Sequence, residues 1–71
     1  MLWVKAEDEV LKEKVWLCLD GANVEVFEKI EVDPFSRVCN IRKGKVFEIG
    51  PYHFKVIGEV AYTRAYPLKF K

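Results

Sequence analysis

The sequence predicts an all-β protein, a small single-domain barrel or sandwich of five to seven antiparallel strands with at most one short helical turn. Three observations support this fold class. Apolar and polar residues alternate with a period of two along most of the chain. Valine and aromatic residues, which favour strands, are concentrated in those alternating segments. Glycine or proline separates the segments at intervals of roughly 8 to 12 residues, the spacing typical of small barrels and sandwiches.

The length and composition limit the kind of protein. With 71 residues we expect one domain over residues 1–71, near the size at which a single core only just outweighs chain entropy. Apolar residues make up 51% of the chain and charged residues 32%, which excludes a disordered chain. No apolar run approaches the ~20 residues of a transmembrane helix, and the opening MLWVKAEDEV lacks the pattern of a secretory signal. We therefore expect a cytoplasmic protein without membrane contact.

The choice of polar residues indicates a thermophilic source. Glutamine is absent while lysine, glutamate and valine are abundant, a bias associated with hyperthermophiles. That source leaves two states open for Cys18 and Cys39, because intracellular proteins of hyperthermophiles do contain disulfides. Free thiols in the core are the favoured interpretation. Together with His53 the cysteines give three candidate ligands without paired spacing, so we predict no metal and no cofactor.

The first half of the chain predicts a strand followed by a hairpin. The first strand covers residues 2–6, and residues 7–14 have enough helical character for one or two turns. The hairpin consists of EKVWLCLD and VEVFEKIEV on either side of the turn at residues 20–23. Within it, Trp16 and Phe27 lie on the face opposite the main apolar rows of their strands. Apolar groups on both faces of a strand imply cover by another layer or another chain.

The second half begins after Asp33-Pro34, a strand breaker, and predicts a second hairpin followed by a long interrupted strand. The second hairpin reads RVCNIRKGKVFEI and turns at Lys43-Gly44; its register remains open, because two-residue and three-residue loops both fit. Gly58 interrupts the following segment, where we expect a bend or bulge between two strands. Beyond it, period-two alternation would place Tyr62, Arg64 and Tyr66 in a row on one face.

The net charge of +1 conceals a difference between the two halves. Residues 1–35 contain four lysines and nine acidic residues, a net charge of −5, whereas residues 36–71 contain eight basic and two acidic residues, a net charge of +6. Charge asymmetry of this kind marks either a binding face or two halves that pair with each other. Basic residues interleaved with aromatic rings are typical of proteins that hold single-stranded nucleic acid. The predicted RNA or single-stranded DNA contacts are Arg42, Lys43, Lys45, Phe47, His53, Lys55, Tyr62, Arg64 and Tyr66.

Enzymatic function is not predicted. The four glycines are too dispersed for a phosphate-binding loop, and His53 is the only histidine that could serve a nucleophile. Periodicity brings no pair of carboxylates into a shared pocket. The alternative to nucleic-acid binding is a protein-interaction or assembly subunit, a homodimer or a complex with another protein, with Trp16 and Phe27 as the interface anchors.

Overall fold

The computed structural model describes residues 1–68 and shows, within them, eight strands and no helix. The all-β prediction is confirmed, although the strands number eight rather than five to seven. Lys69 and Lys71, which contribute to the basic charge of the second half, lie outside the described residues. The strands are β1 (Leu2–Asp8), β2 (Lys14–Asp20), β3 (Asn23–Phe27), β4 (Ile30–Val32), β5 (Val38–Asn40), β6 (Val46–Ile49), β7 (Tyr52–Tyr62) and β8 (Ala65–Pro67).

Six strands form one antiparallel sheet, and the remaining two form a small second sheet. The order in the larger sheet is β3-β2-β1-β7-β5, and β6 pairs with β7 next to β5. Strands β4 and β8 pair with each other. The sheets do not close into a barrel, so the antiparallel all-β architecture is confirmed and its finer description as a barrel or sandwich is not. The chain is compact, with a radius of gyration of 11.5 Å.

Two tight hairpins depend on glycines with positive φ. The β2–β3 hairpin closes between Asp20 and Asn23, as the sequence predicts, and Gly21 has a φ of 60°. The β6–β7 hairpin closes through a two-residue loop in which Gly50 has a φ of 59°. A glycine adopts this conformation at the first loop position without the steric cost that a side chain would add. Both glycines therefore fix the register of the strands that they join.

Strand β7 is the central element of the larger sheet, because β1 pairs along one edge and both β5 and β6 pair along the other. The β1–β7 register shifts between Val4 and Ala6, opposite the part of β7 that contains Gly58. A Cβ atom at Gly58 would lie 3.4 Å from the Cβ atom of Lys5, so the two strands approach closely there. The bulge predicted at Gly58 is present, but β7 continues through it, so the expected division into two strands is wrong.

The second predicted hairpin does not form. Strand β5 pairs with residues 60–62 of β7, and β6 pairs with residues 52–55 of the same strand, so β5 and β6 are not hydrogen-bonded neighbours. The physical reason is the length of β7, whose 11 residues offer one edge long enough for two short partners. The Lys43-Gly44 turn therefore connects two strands that lie end to end along β7.

The core lies on one face of the larger sheet and consists of small and medium apolar side chains. Its buried members come from β1, β2 and β7, and they are Val4, Ala6, Val15, Leu17, Phe54, Val56 and Ala61. The segment for which the sequence allowed a helical turn instead ends β1, reverses direction and begins β2. None of the described residues belongs to a helix with the length and apolar character needed to cross a bilayer.

Candidate functional site

An apolar groove with two basic side chains in its lining opens on the core face of the larger sheet. Its volume is about 230 Å³. The apolar lining comes from β1, β2, β6, β7 and the segment between β5 and β6, and the full lining is Leu2, Val4, Leu19, Ile41, Arg42, Lys45, Phe47 and Val56. We call this depression the apolar groove. Three of the nine residues predicted to contact nucleic acid, Arg42, Lys45 and Phe47, therefore lie together in it.

Backbone hydrogen bonds to β7 hold the basic segment against the groove. At one end, the amide of Ile41 donates to the carbonyl oxygen of Glu59 at 2.9 Å. At the other end, the amide of Gly44 donates to Val56 at 2.9 Å, and the amide of Val56 donates back to Lys45 at 2.8 Å. Gly44 has a φ of 96°, which a residue with a side chain rarely adopts. Arg42 and Lys45 are thus fixed at their backbones while their side chains remain exposed.

The two cations of the apolar groove are not neutralised by the protein. Within residues 1–68, neither Arg42 nor Lys45 has a carboxylate within salt-bridge distance. The Nζ atom of Lys45 lies 5.1 Å from the ring centroid of Phe47, a cation–π contact that leaves its hydrogen-bond donors free. Lys43 does pair with Glu59 at 3.1 Å, but both side chains are exposed, and such a pair contributes little. The segment therefore offers positive charge to an anionic ligand.

His53 and Lys55 lie on the opposite face of the sheet. Side chains alternate along β7, and Phe54 and Val56 point into the core, so their neighbours point away from it. The imidazole Nδ1 of His53 lies 3.4 Å from a carboxylate oxygen of Glu48 on the paired strand. Lys55 shares a shallow depression with Glu7 and Glu9. Both residues are therefore separated from the apolar groove and have acidic neighbours.

The row predicted from Tyr62 to Tyr66 is not formed. Strand β7 ends at Tyr62, the chain bends at Thr63, and β8 begins at Ala65. The ring of Tyr62 packs against Trp16 with centroids 6.0 Å apart. The other two side chains turn to Asp33, which accepts a hydrogen bond from the Tyr66 hydroxyl and lies 3.5 Å from the Arg64 guanidinium.

The predicted interface residues Trp16 and Phe27 are direct partners in the β2–β3 ladder. They lie on the face opposite the core, as the alternation indicates, and both are half-buried. Trp3 covers Phe27 with ring centroids 5.4 Å apart, and Tyr62 covers Trp16. The chain itself therefore supplies part of the cover for Trp16 and Phe27 that we expected from another layer or another chain.

Three exposed residues that the sequence analysis did not assign to a site stand out in the structure. Phe35 is 80% exposed in the loop after β4, and Val10 and Leu11 are 82% and 59% exposed in the turn between β1 and β2. The sequence signals are an aromatic directly after the Asp33-Pro34 breaker and an aliphatic pair inside a charged stretch. An apolar side chain in a turn has no strand face that could bury it.

The apolar groove is not the largest depression, but it has the clearest chemistry. Depressions of about 460, 390 and 510 Å³ are lined by acidic side chains together with lysine, cysteine, asparagine or apolar residues. Within the part of the chain that the structure describes, no group of three or more His, Cys, Asp or Glu residues is placed to hold a metal ion. Comparison with protein families, curated proteins and solved structures finds no match to this chain.

Proposed function

We propose that this chain is a non-enzymatic binding module for single-stranded or structured nucleic acid. In this proposal the apolar groove receives one unpaired base, which stacks on Phe47, and Arg42, Lys43 and Lys45 contact the phosphates on either side. The observation that carries the proposal is the placement of two unneutralised cations and an aromatic ring in the lining of one apolar depression. Proteins that hold single strands combine a positive groove with rings on which bases stack.

The size and lining of the groove support a base rather than a larger ligand or a reaction. A volume of about 230 Å³ lies below the roughly 300–1,000 Å³ of pockets for drug-sized molecules, and it suits a single planar ring. No carboxylate, imidazole, hydroxyl or thiol lines it, so the described residues provide no conventional acid–base pair there. With few phosphate contacts and a net charge near zero, we expect weak, salt-sensitive binding rather than generic duplex binding.

The proposal is tested by fluorescence anisotropy with labelled 12-nucleotide single-stranded RNA and DNA at two salt concentrations. The test variant is Arg42→Gln combined with Lys45→Gln. We expect the wild-type protein to bind with an affinity that falls with salt. Loss of two phosphate contacts should reduce the slope of log K against log salt by about 1.4, since each contact to a single strand contributes about 0.7.

A matched control removes the same charge from the acidic half of the chain. Lys14→Gln combined with Lys29→Gln changes two exposed lysines that line a depression with Glu13 and Glu28. This control should bind like the wild type. Absence of wild-type binding at low salt contradicts the proposed function, and equal losses in both double variants contradict the assignment to the apolar groove.

A second candidate function, protein interaction or assembly, is favoured by the turn between β1 and β2. The buried carboxylate of Asp8 accepts hydrogen bonds from the amides of Val10 at 2.8 Å and Leu11 at 3.0 Å. These bonds fix the turn and hold two aliphatic side chains in solvent, where they gain no burial energy. The pair is a more accessible anchor than Trp16 and Phe27, which the chain partly covers.

Sedimentation velocity over a range of protein concentrations tests this candidate. If Val10 and Leu11 anchor self-association, Val10→Ser combined with Leu11→Ser should shift a concentration-dependent oligomer to monomer. Trp16→Leu tests in the same way the interface that the sequence predicts at Trp16 and Phe27. If the wild-type protein remains monomeric at the highest concentration, self-association is excluded and only interaction with another protein is left in this candidate.

A further inference from the structure

The loop after β4 presents Phe35 to solvent. This side chain is the most exposed aromatic among residues 1–68, at 80%. Burial of a phenylalanine side chain stabilises a folded protein, and Phe35 gains almost none of that stabilisation in the free protein. Single exposed apolar residues are common on protein surfaces. Phe35 differs from them in the hydrogen bonds that fix its loop and in the basic residues of that region.

Hydrogen bonds fix the loop on both sides of Phe35. On its N-terminal side, Asp33 accepts from the amide of Phe35 at 2.7 Å, and the amide of Ser36 donates to the Asp33 carbonyl oxygen at 2.9 Å. On its C-terminal side, the Ser36 hydroxyl oxygen accepts from the amides of Thr63 at 3.1 Å and Arg64 at 3.2 Å. The ring therefore projects from a backbone that needs little ordering on binding, which lowers the entropic cost of a contact.

Backbone hydrogen bonds bring two arginines to the loop that carries Phe35. Arg37 follows it by two residues, and its amide donates to the Thr63 hydroxyl at 2.9 Å. Within the described residues Arg37 has no salt bridge, whereas the nearby carboxylate of Asp33 is already engaged by Arg64 and Tyr66. The loop therefore carries one guanidinium without a salt bridge, and its Ser36 is bonded to a residue with an exposed guanidinium whose acidic partner is buried.

We infer that Phe35 and Arg37 form a second binding subsite for single-stranded nucleic acid, with an unpaired base stacked on Phe35 and a phosphate on Arg37. This inference rests on the proposed function and extends it from the apolar groove along β5. All three residues of β5 are exposed, and its outer edge has no strand partner among residues 1–68. The strand thus connects the two subsites by an open path.

The distance between the subsites sets the length of the ligand. Arg42 lies seven positions after Phe35, so their Cα atoms are at most about 23 Å apart at the rise of an extended strand. At the 3.4 Å spacing of stacked nucleotides, that distance corresponds to about seven nucleotides. A 12-nucleotide strand is therefore long enough to reach both subsites.

Substitution at Phe35 tests the inference without disturbing the core. Phe35→Ala and Phe35→Leu should each weaken binding of the 12-nucleotide strand by about 5- to 150-fold, the range for one base–aromatic stack. Leucine keeps an apolar side chain but removes the ring, so a loss in both variants assigns the effect to stacking. Val10→Ala, which shortens an exposed apolar side chain in the turn between β1 and β2, outside both subsites, is the matched control and should bind like the wild type.

Phe35→Trp gives a direct readout at the same position, because a base stacked on the indole should quench its fluorescence. The signal is measured against the wild-type protein, which contains Trp3 and Trp16. Salt-sensitive wild-type binding with no loss in Phe35→Ala and no added quenching in Phe35→Trp overturns the second subsite and leaves the proposed function standing. Absence of any wild-type binding overturns both.

Discussion

The hydroxyl of Tyr66 donates a hydrogen bond to the buried carboxylate of Asp33, and this contact joins the second sheet to the loop that carries Phe35. Asp33 directly follows β4, and Tyr66 lies in the middle of β8. The other carboxylate oxygen of Asp33 accepts from the amide of Phe35. One acidic side chain therefore fixes both the position of β8 and the conformation of the exposed loop.

The first prediction concerns acid stability. The Tyr66 hydroxyl, and next the Phe35 amide, hold the pKa of Asp33 below its ordinary value. A lowered pKa in the folded state means that Asp33 stabilises the protein fully above the unfolded value of about 3.9, and that this contribution is lost as pH falls through the folded value. Tyr66→Phe should lower Tm at neutral pH and reduce the dependence of Tm on pH below about 4.

Tyr52→Phe is the control for this prediction, because within residues 1–68 the Tyr52 hydroxyl has no hydrogen-bond partner in the protein. Thermal unfolding of the wild type and both variants between pH 2 and 7 provides the comparison. Identical acid profiles for the wild type and Tyr66→Phe would show that the Asp33–Tyr66 contact does not contribute to stability.

The second prediction concerns the thiols, which are both free in the structure. Cys39 is exposed rather than in the core, whereas burial raises the pKa of the Cys18 thiol, and the carboxylates of Glu25 and Asp20 raise it further. The thiolate is the reactive form, so the burial of Cys18 and its raised pKa both slow its reaction. At pH 8 the folded protein should react rapidly with one equivalent of an aromatic disulfide reagent, and the denatured protein with two.

The variant Cys39→Ser identifies the fast thiol. It should abolish the rapid phase and leave a slow reaction at Cys18. A rapid phase that persists in this variant would place Cys18 at an accessible surface, contrary to its burial.

The third prediction concerns the core. Leu17 has no solvent-exposed surface and packs in the cluster formed by β1, β2 and β7. Leu17→Ala should reduce the free energy of unfolding by about 2 to 5 kcal/mol, through lost transfer energy and the cavity that remains. Urea unfolding measures the change. Val10→Ala removes apolar atoms from a position that is 82% exposed and should change stability by less than about 0.5 kcal/mol.

The fourth prediction separates stacking from packing in the apolar groove. Phe47 is half-buried against the core, so Phe47→Ala would lose stability as well as a ring. Phe47→Leu keeps most of the apolar volume and should weaken single-strand binding about fivefold or more while Tm changes little. Ile49→Leu, a substitution on the same strand outside the groove lining, should leave binding unchanged. Equal affinity of Phe47→Leu and the wild type would exclude Phe47 as a stacking surface.

Local patterns predicted the parts of the fold that depend on neighbouring residues. The β2–β3 hairpin and the bulge at Gly58 follow from alternation and from glycine, and both are present, although residues 30–32, predicted as part of the hairpin, instead form β4 and pair with β8. Pairings between distant segments leave no such local signal. Nothing in the sequence around Val38 or Val46 indicates that both strands pair with β7 rather than with each other.

The same distinction applies to the candidate site. Arg42, Lys45 and Phe47 are close in sequence, and the structure brings them together in the apolar groove. The alternation of side chains along β7 instead places His53 and Lys55 on the opposite face. The Tyr62–Tyr66 row failed because the hydrogen bonds between the loop around Ser36 and the bend at Thr63 interrupt the strand. Those bonds connect residues 26 to 28 positions apart, which no period-two pattern encodes.

The antiparallel pairing of β1 with β7 has a kinetic consequence. The direct partners Trp3 and Tyr62 lie at nearly opposite ends of the described chain, so the sheet cannot assemble outward from local hairpins alone. The entropy of closing that long loop is lost before the central contacts can compensate for it. We expect folding in milliseconds to seconds, the range of non-local β-proteins, with the meeting of these two strands as the slow step.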